Sequence, residues 1–549
     1  MSKQEREIEK GSPNATSRVW GPQPPPRQRR WRIILFGAIV LAVGLAERAY
    51  ILDLSVRWGY WSDHVTNVCW ALTAERRGLL NLYPISAEEQ VDIRCQIYKN
   101  GRPAIYEIPG TDLNIPIYPP LTLAIFWLQG RLLEAVAPSP MIVNTLTSRL
   151  VMAIGPILFE LVLAACLMLL GRQLFSARSG YLAAAACWVF PPLAMNSGFW
   201  GQADSFIMAP AVAVIYFMLR RQWTIAGLCL GVAALLKAQA VLLGPVVLFA
   251  AAAVDEESGK VTFPLVLKRL AVLVGAALAV VFILSLPWML AKGPAWFQRS
   301  YVRMIFEAYP LTTSRAFNFW YLDALRLDSC VTFVLDSQER VLGVTKDAWG
   351  KVLLLTAGAA IAVLCWKKYR RRPMGVVAFA ALCLWSAFLW PTRVHDRYMM
   401  YCVPLVIVLA AGLRRYWPAV LGLLILGMAE HTWNLWLTPA AGQLVSRAGA
   451  EQFYVAVLEN YQEQTASMPP DLRPPPPTKQ DVDRVYLQRI AGAMPDYRLA
   501  RQKVEFWEYL FTILSLASYG LAIWATFVPW TARPPPGQLE RAGPRARPH

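Results

Sequence analysis

The residues able to do chemistry sit in short stretches between long apolar runs. They are Asp63 and His64 in "WSDHVTN", Tyr118 in "IPIYPPLT", Arg149, Gln202 and Asp204 in "GFWGQADSF", Lys237 and Gln239 in "LLKAQAV", and Arg393, His395, Asp396 and Arg397 in "PTRVHDRYMM". The kit is carboxylate, imidazole and several cations. It lacks a Ser–His–Asp order and a glycine-rich phosphate loop, and its His, Asp and Glu are too sparse for a His-rich metal site. Such a set suits displacement at a carbon that bears a phosphate leaving group. One Asp takes the proton of an attacking hydroxyl, and Arg, His and Lys stabilise the charge on the departing phosphate.

The elements that must position these residues are membrane helices. Apolar residues make up 56% of the 549-residue chain and charged residues 16%, against about 25% charged in a soluble domain. Runs long enough to cross about 30 Å of hydrocarbon predict an all-α polytopic protein with spans at 31–52, 147–170, 180–197, 205–219, 223–236, 238–254, 270–290, 351–366, 374–390, 398–413, 418–436 and 506–529. The first is too long, and lacks the small-residue cleavage site, for a signal peptide. Alternate loops carry Arg172 and Arg178, Arg220 and Arg221, Lys268 and Arg269, "KKYRRR", and Arg414 with Arg415. By the positive-inside rule these loops and both chain ends are cytoplasmic, and every chemistry-bearing stretch then lies at the outer face. The stretch 119–136 reads as an amphipathic helix in the outer interface, with Gln129, Arg131 and Glu134 toward the headgroups.

The same pattern divides the chain into a basic tail at 1–30, a core at 31–436, an outer proline-containing loop at 437–505, a last span at 506–529 and a tail at 530–549. Both proline-rich tails read as disordered. The net charge of +18 is spread over loops and tails without interleaved aromatics, so nucleic acid is not an expected partner. The nine cysteines show no zinc spacing, and Cys69 with Cys95 is the candidate disulfide.

Structural readings compete with chemical ones at each position. Lys237 is a possible snorkelling anchor, Asp204 a possible N-cap, Asp63 a loop acid, Arg393 and Arg397 interfacial anchors, and Tyr118 an aromatic-belt residue. The common outer face weighs against all of these together. A polyprenyl phosphate reaches such a site from the bilayer, which accounts for cations at the membrane boundary.

At these residues the chain resembles the GT-C fold glycosyltransferases, polytopic enzymes that use polyprenyl-phosphate-linked sugars. The likeness runs over residues 31–415: an acid in the first outer loop ("WSDHVTN"), a Tyr-Pro-Pro-Leu element opening an interfacial helix, and Arg149 entering the next span. Bacterial mannosyltransferase-like proteins related to the second GPI mannosyltransferase are similar in W-G-Q-x-D-S, K-P-Q and R-x-H-E-R-Y, which read here "WGQADS", "KAQ" and "RVHDRY". "YPPLT" is also similar to eukaryotic glucosyltransferases that use dolichyl-phosphate glucose. Ala238 replaces the Pro, Asp396 replaces the Glu, and His64 follows Asp63 where protein O-mannosyltransferases pair two acids.

The resemblance implies an inverting transfer of a sugar, mannose foremost, to a hydroxyl of a glycan, lipid or protein at the outer face of a bacterial plasma membrane, without metal or cofactor. It implies Asp63 as general base with Asp204 as competitor. Arg393, His395, Arg397 and Lys237 would hold the donor phosphate, and His64, Tyr118, Arg149, Gln202, Gln239 and Asp396 would contact substrate. A transporter or flippase of lipid-linked sugars is the rival reading, with Glu160 and Glu430 as its few mid-membrane candidates.

Overall fold

The computed structural model describes residues 27–58, 61–86, 88–89, 93, 116–136, 145–253, 261–307, 312–313, 316–322, 337–370, 372–437 and 505–528, with a few isolated positions between 457 and 482. The expectations for both tails, for most of 437–505 and for the Cys69–Cys95 pair, through Cys95, fall outside the described residues.

Nearly everything described is helix. The long elements are α1 (Arg27–Trp58), α2 (Trp61–Arg77), α3 (Pro120–Val136), α4 (Leu146–Leu174), α5 (Ala177–Trp188), the single turn α6 (Pro191–Ala194), α7 (Ser205–Leu219), α8 (Trp223–Leu236), α9 (Gly244–Ala253), α10 (Phe263–Lys292), α11 (Lys346–Tyr369), α12 (Pro373–Leu389), α13 (Val403–Gly412), α14 (Trp417–Leu437) and α15 (Glu505–Phe527). One two-stranded antiparallel hairpin, Arg340–Val341 with Val344–Thr345, precedes α11. The sequence dictates several boundaries. Thr145 and Ser148 form a reciprocal capping box at the start of α4, Thr345 caps α11, and Pro373 opens α12 where its missing N–H costs nothing.

Each expected span holds a helix, and the protein is an all-α, multi-pass membrane chain. Five helices are long and apolar enough to cross a bilayer alone: Trp31–Val56, Leu146–Leu174, Phe263–Lys292, Lys346–Tyr369 and Phe506–Phe527. The expected span 180–197 is instead a pair bent by 47°, Ala177–Trp188 with Pro191–Phe199, broken where two prolines follow each other. Ser205–Leu219, Trp223–Leu236, Ala238–Ala253 and Pro373–Leu389 are apolar but shorter. The core gathers on α12 and α13, both buried along nearly their whole length, while α1, α10 and α11 present apolar side chains outward.

Gln129 does not point to headgroups. Pro156 has no N–H, so the Met152 carbonyl one turn earlier loses its helical donor. Gln129 Nε2 supplies one instead, at 2.9 Å, and reaches Val151 O at 3.3 Å. Helix α3 packs between α2 and α4, and at its exposed C-terminal end Glu134 pairs with Arg76 of α2 at 2.6 Å. The approach to α2 is close: a β-carbon on Gly130 would stand 2.1 Å from the Ala71 carbonyl oxygen.

Candidate functional site

Asp63, Gln202, Asp204, Lys237 and Arg397 come from separate parts of the chain and meet in one cluster. Asp63 lies in the first turn of α2, where a carboxylate is favoured by the helix dipole. The "GFWGQADS" segment begins as a π-helical turn, Met195–Phe199, a form common at functional sites. Arg149 Nη1, from α4, holds the carbonyl of Phe199 at 3.0 Å. Gly201 then turns the chain at φ +68°, a conformation suited to glycine, and Asn67 Nδ2 fixes its carbonyl at 2.9 Å. Lys237 ends α8 because its backbone becomes extended. Arg397 lies on the short 3₁₀ helix Asp396–Tyr401, whose first residue Asp396 is buried and accepts the Arg397 N–H at 2.8 Å.

Asp204 stands at the N-cap position of α7, yet its side chain caps nothing. It is fully buried and ion-paired with Lys237. Tyr401 Oη donates to the same carboxylate at 2.7 Å, Asn196 Nδ2 at 3.1 Å, and Arg397 Nε lies 3.6 Å away. Burial alone pushes this carboxyl up, but the nearby Lys237 and Arg397 charges outweigh it and hold it at about 2. Asp204 is therefore ionised and its acceptor positions are occupied. Lys237 is no snorkelling anchor: it is buried, and its ammonium is spent on Asp204.

Asp63 is placed differently. Its side chain retains 31% exposure, accepts from Gln202 Nε2, and lies 3.7 Å from Arg397 Nη1. Arg397 thus spans the two carboxylates with two faces of one guanidinium.

Around this centre the other expected residues divide. Tyr118 is half-buried near the Lys237 ammonium, 5.8 Å from its ring centre, and stands edge-on to Trp70 and Phe126. Gln239 Nε2 donates to Tyr398 Oη at 2.8 Å, and the His395 ring lies 5.4 Å from that of Tyr398. His64 is buried behind the cluster, its Nε2 3.1 Å from Ser148 Oγ, and Arg149 is likewise buried against backbone. Arg393 turns toward Asp347 at the start of α11, 3.6 Å away, from a backbone held at φ +62°. Asn196, Tyr398, Tyr401 and His431 were not singled out in the sequence, because each is embedded in or beside an apolar run. Among the described residues no group of three or more His, Cys, Asp or Glu could hold a metal ion.

Residues 141–288 match the family model of the dolichyl-phosphate-mannose-protein mannosyltransferases. The matched segment contains Arg149, Gln202, Asp204, Lys237 and Gln239, and the fold brings to it Asp63, Tyr118 and Arg397 from either side. No curated protein matches the chain. Solved structures similar to it include two crystal structures of ArnT from Cupriavidus metallidurans, one bound to undecaprenyl phosphate and one in the apo state. Each is 14% identical with a TM-score of 0.42; they cover 89% and 91% of this chain and 77% of theirs.

Proposed function

We propose that the protein is an inverting glycosyltransferase that moves a sugar, mannose foremost, from a polyprenyl-phosphate donor to an acceptor hydroxyl at the exoplasmic face of the bacterial plasma membrane. The observation that carries this reading is the division of labour between two carboxylates on one arginine: Asp204 is saturated, and Asp63 is open to solvent. Asp63 accepts the proton of the acceptor hydroxyl. The acceptor oxygen bonds to the anomeric carbon as the bond to the donor phosphate oxygen breaks, and the electron pair leaves with the phosphate. Arg397, with Arg393 and His395 on the same loop, meets that developing charge. Lys237 serves by holding Asp204, and so Arg397, in place. Gln202 orients Asp63, Tyr118 and Gln239 shape the sugar end, and His64, Arg149 and Asp396 brace these side chains from behind.

The transport reading finds less support. Glu160 is engaged by Arg48 at 2.7 Å, and Glu430 accepts the Phe317 N–H at 3.1 Å, so both have structural duties. The test is purified protein incubated with polyprenyl-phosphate mannose and a lipid or glycan acceptor. Release of polyprenyl phosphate, lost in Asp63→Asn, is the expected result. Movement of intact donor across a proteoliposome without cleavage would replace this reading by transport.

A further inference from the structure

Behind Asp204 lies a buried polar chain that the chemistry above does not use. His431, in α14, places Nδ1 2.6 Å from the carbonyl oxygen of Gly427. A carbonyl only accepts, so Nδ1 carries the proton. The neutral ring then turns the Nε2 lone pair toward Asn196 Nδ2, 3.5 Å away, and that same amide nitrogen donates to Asp204 Oδ2 at 3.1 Å. Its two hydrogens serve one acceptor each. With the amide reversed, Asn196 Oδ1 would face the Asp204 carboxylate, acceptor against acceptor with no hydrogen between them. The histidine is locked as well: Trp200 Nε1 donates to its backbone carbonyl at 3.1 Å, and the indole stands edge-on to the imidazole. Both His431 and Asn196 are buried, so water cannot substitute for a lost partner.

We infer that His431 and Asn196 are positioning residues which, through Asp204, set where the Arg397 guanidinium stands. The mechanism is competition for one oxygen. Asp204 Oδ2 is shared between the Asn196 amide at 3.1 Å and Arg397 Nε at 3.6 Å, while Arg397 Nη1 stays 3.7 Å from Asp63. With the amide committed to Oδ2, Arg397 remains between the two carboxylates. Without it, Arg397 closes on Asp204 and withdraws from Asp63 and from the place of the donor phosphate. His431 acts one step further back, by fixing which end of the Asn196 amide points at the carboxylate.

The consequence for donor binding rests on the proposed glycosyl transfer; the tautomer does not. Two arms keep them apart. In the kinetic arm, Asn196→Ala and His431→Phe should each raise the donor KM roughly tenfold, as for a lost buried hydrogen bond to a charged group, with kcat changed less. His431→Gln, whose amide oxygen can accept from Asn196, should recover most of the donor affinity. The double variant should cost less than the two single changes added together. A wild-type donor KM in His431→Phe overturns the inference, because the ring would then only fill space. In the second arm, ¹⁵N-histidine NMR of the full-length protein uses the fact that the chain has only four histidines. The signal lost in His431→Phe should be the neutral Nδ1–H tautomer near neutral pH, and Asn196→Ala should move its Nε2 resonance. An Nε2–H tautomer overturns the inference even if transfer is observed. Absence of transfer by the wild-type protein overturns the proposed function and leaves the NMR result to stand by itself.

Discussion

Asp63 and Asp204 differ in the property that decides which can take a proton. Asp204 has Lys237, Tyr401, Asn196 and Arg397 around it and no exposure; Asp63 is partly open. Asp63→Asn keeps the size and hydrogen bonding of the side chain but removes the base. Turnover is expected to fall by roughly 10²–10⁴-fold with donor KM little changed. Asp204→Asn leaves the buried Lys237 without its counter-charge, and breaking such a pair costs on the order of 3–5 kcal/mol, so a lower thermal midpoint and a higher donor KM are expected together. The pH dependence separates them further. A carboxyl held at about 2 contributes stability above the ordinary carboxylate range, and that contribution is lost as pH falls through its folded value. An acid limb in kcat well above that value therefore has another owner, and Asp204→Asn should leave it in place. If Asp204→Asn folds normally, binds donor and fails to turn over while Asp63→Asn remains active, the two roles are reversed.

At the scale of elements, the motifs legible in the sequence were those that interrupt apolar runs. "GQADS", "KAQ" and "RVHDRY" stand out because charge at a span end is costly, and the structure brings Asp204, Lys237 and Arg397 together. The supporting residues carried no such signal. Asn196 belongs to a π-turn that no period announces, Tyr401 looks like any belt aromatic, and His431 meets Asn196 across 235 positions of sequence. Gln129 differs from its expected headgroup role for a related reason: polarity on a helix also serves a neighbouring helix whose proline leaves a carbonyl to satisfy. Arg48, inside the first apolar run, carries no such signal either. It pairs with Glu160 at 2.7 Å, donates to the Gly44 and Trp188 carbonyls, and lies 3.8 Å over the Trp188 ring, tying α1 to α4 and α5. Glu160→Gln should destabilise the folded protein strongly, since it leaves a buried guanidinium unbalanced. Replacing both, as Arg48→Met with Glu160→Leu, should cost much less. Thermal unfolding in detergent decides between them: a loss in the double variant equal to the sum of the two single losses would mean that the pair adds nothing beyond its separate side chains.

The whole molecule separates its two kinds of charge along the helix axes. Asp347, beside Arg393, opens α11, and Lys368 lies near its other end. Twenty-one residues of helix put these roughly 32 Å apart, about the thickness of the hydrocarbon layer. At the far end Lys368 donates to the Phe527 and Val528 carbonyls, and Arg415 also reaches Val528 O, at 3.0 Å, so two cations from separate elements close the C-terminus of α15. The basic residues Lys368 and Arg415 thus meet at one end of α11, and Asp347 with Arg393 lies at the other. If the basic end is cytoplasmic, Ser86, exposed beyond α2, is outside, and Gln222, exposed between α7 and α8, is inside. A single cysteine at Ser86, in a background with the native cysteines replaced, should react with a membrane-impermeant maleimide on intact cells. A cysteine at Gln222 should react only after permeabilisation. Ser197 and Ala203, though closer to the site, are buried and would stay silent from either side. The inverse labelling pattern would put Asp63 and Arg397 on the cytoplasmic face, and the exoplasmic assignment of the transfer reaction would have to be abandoned.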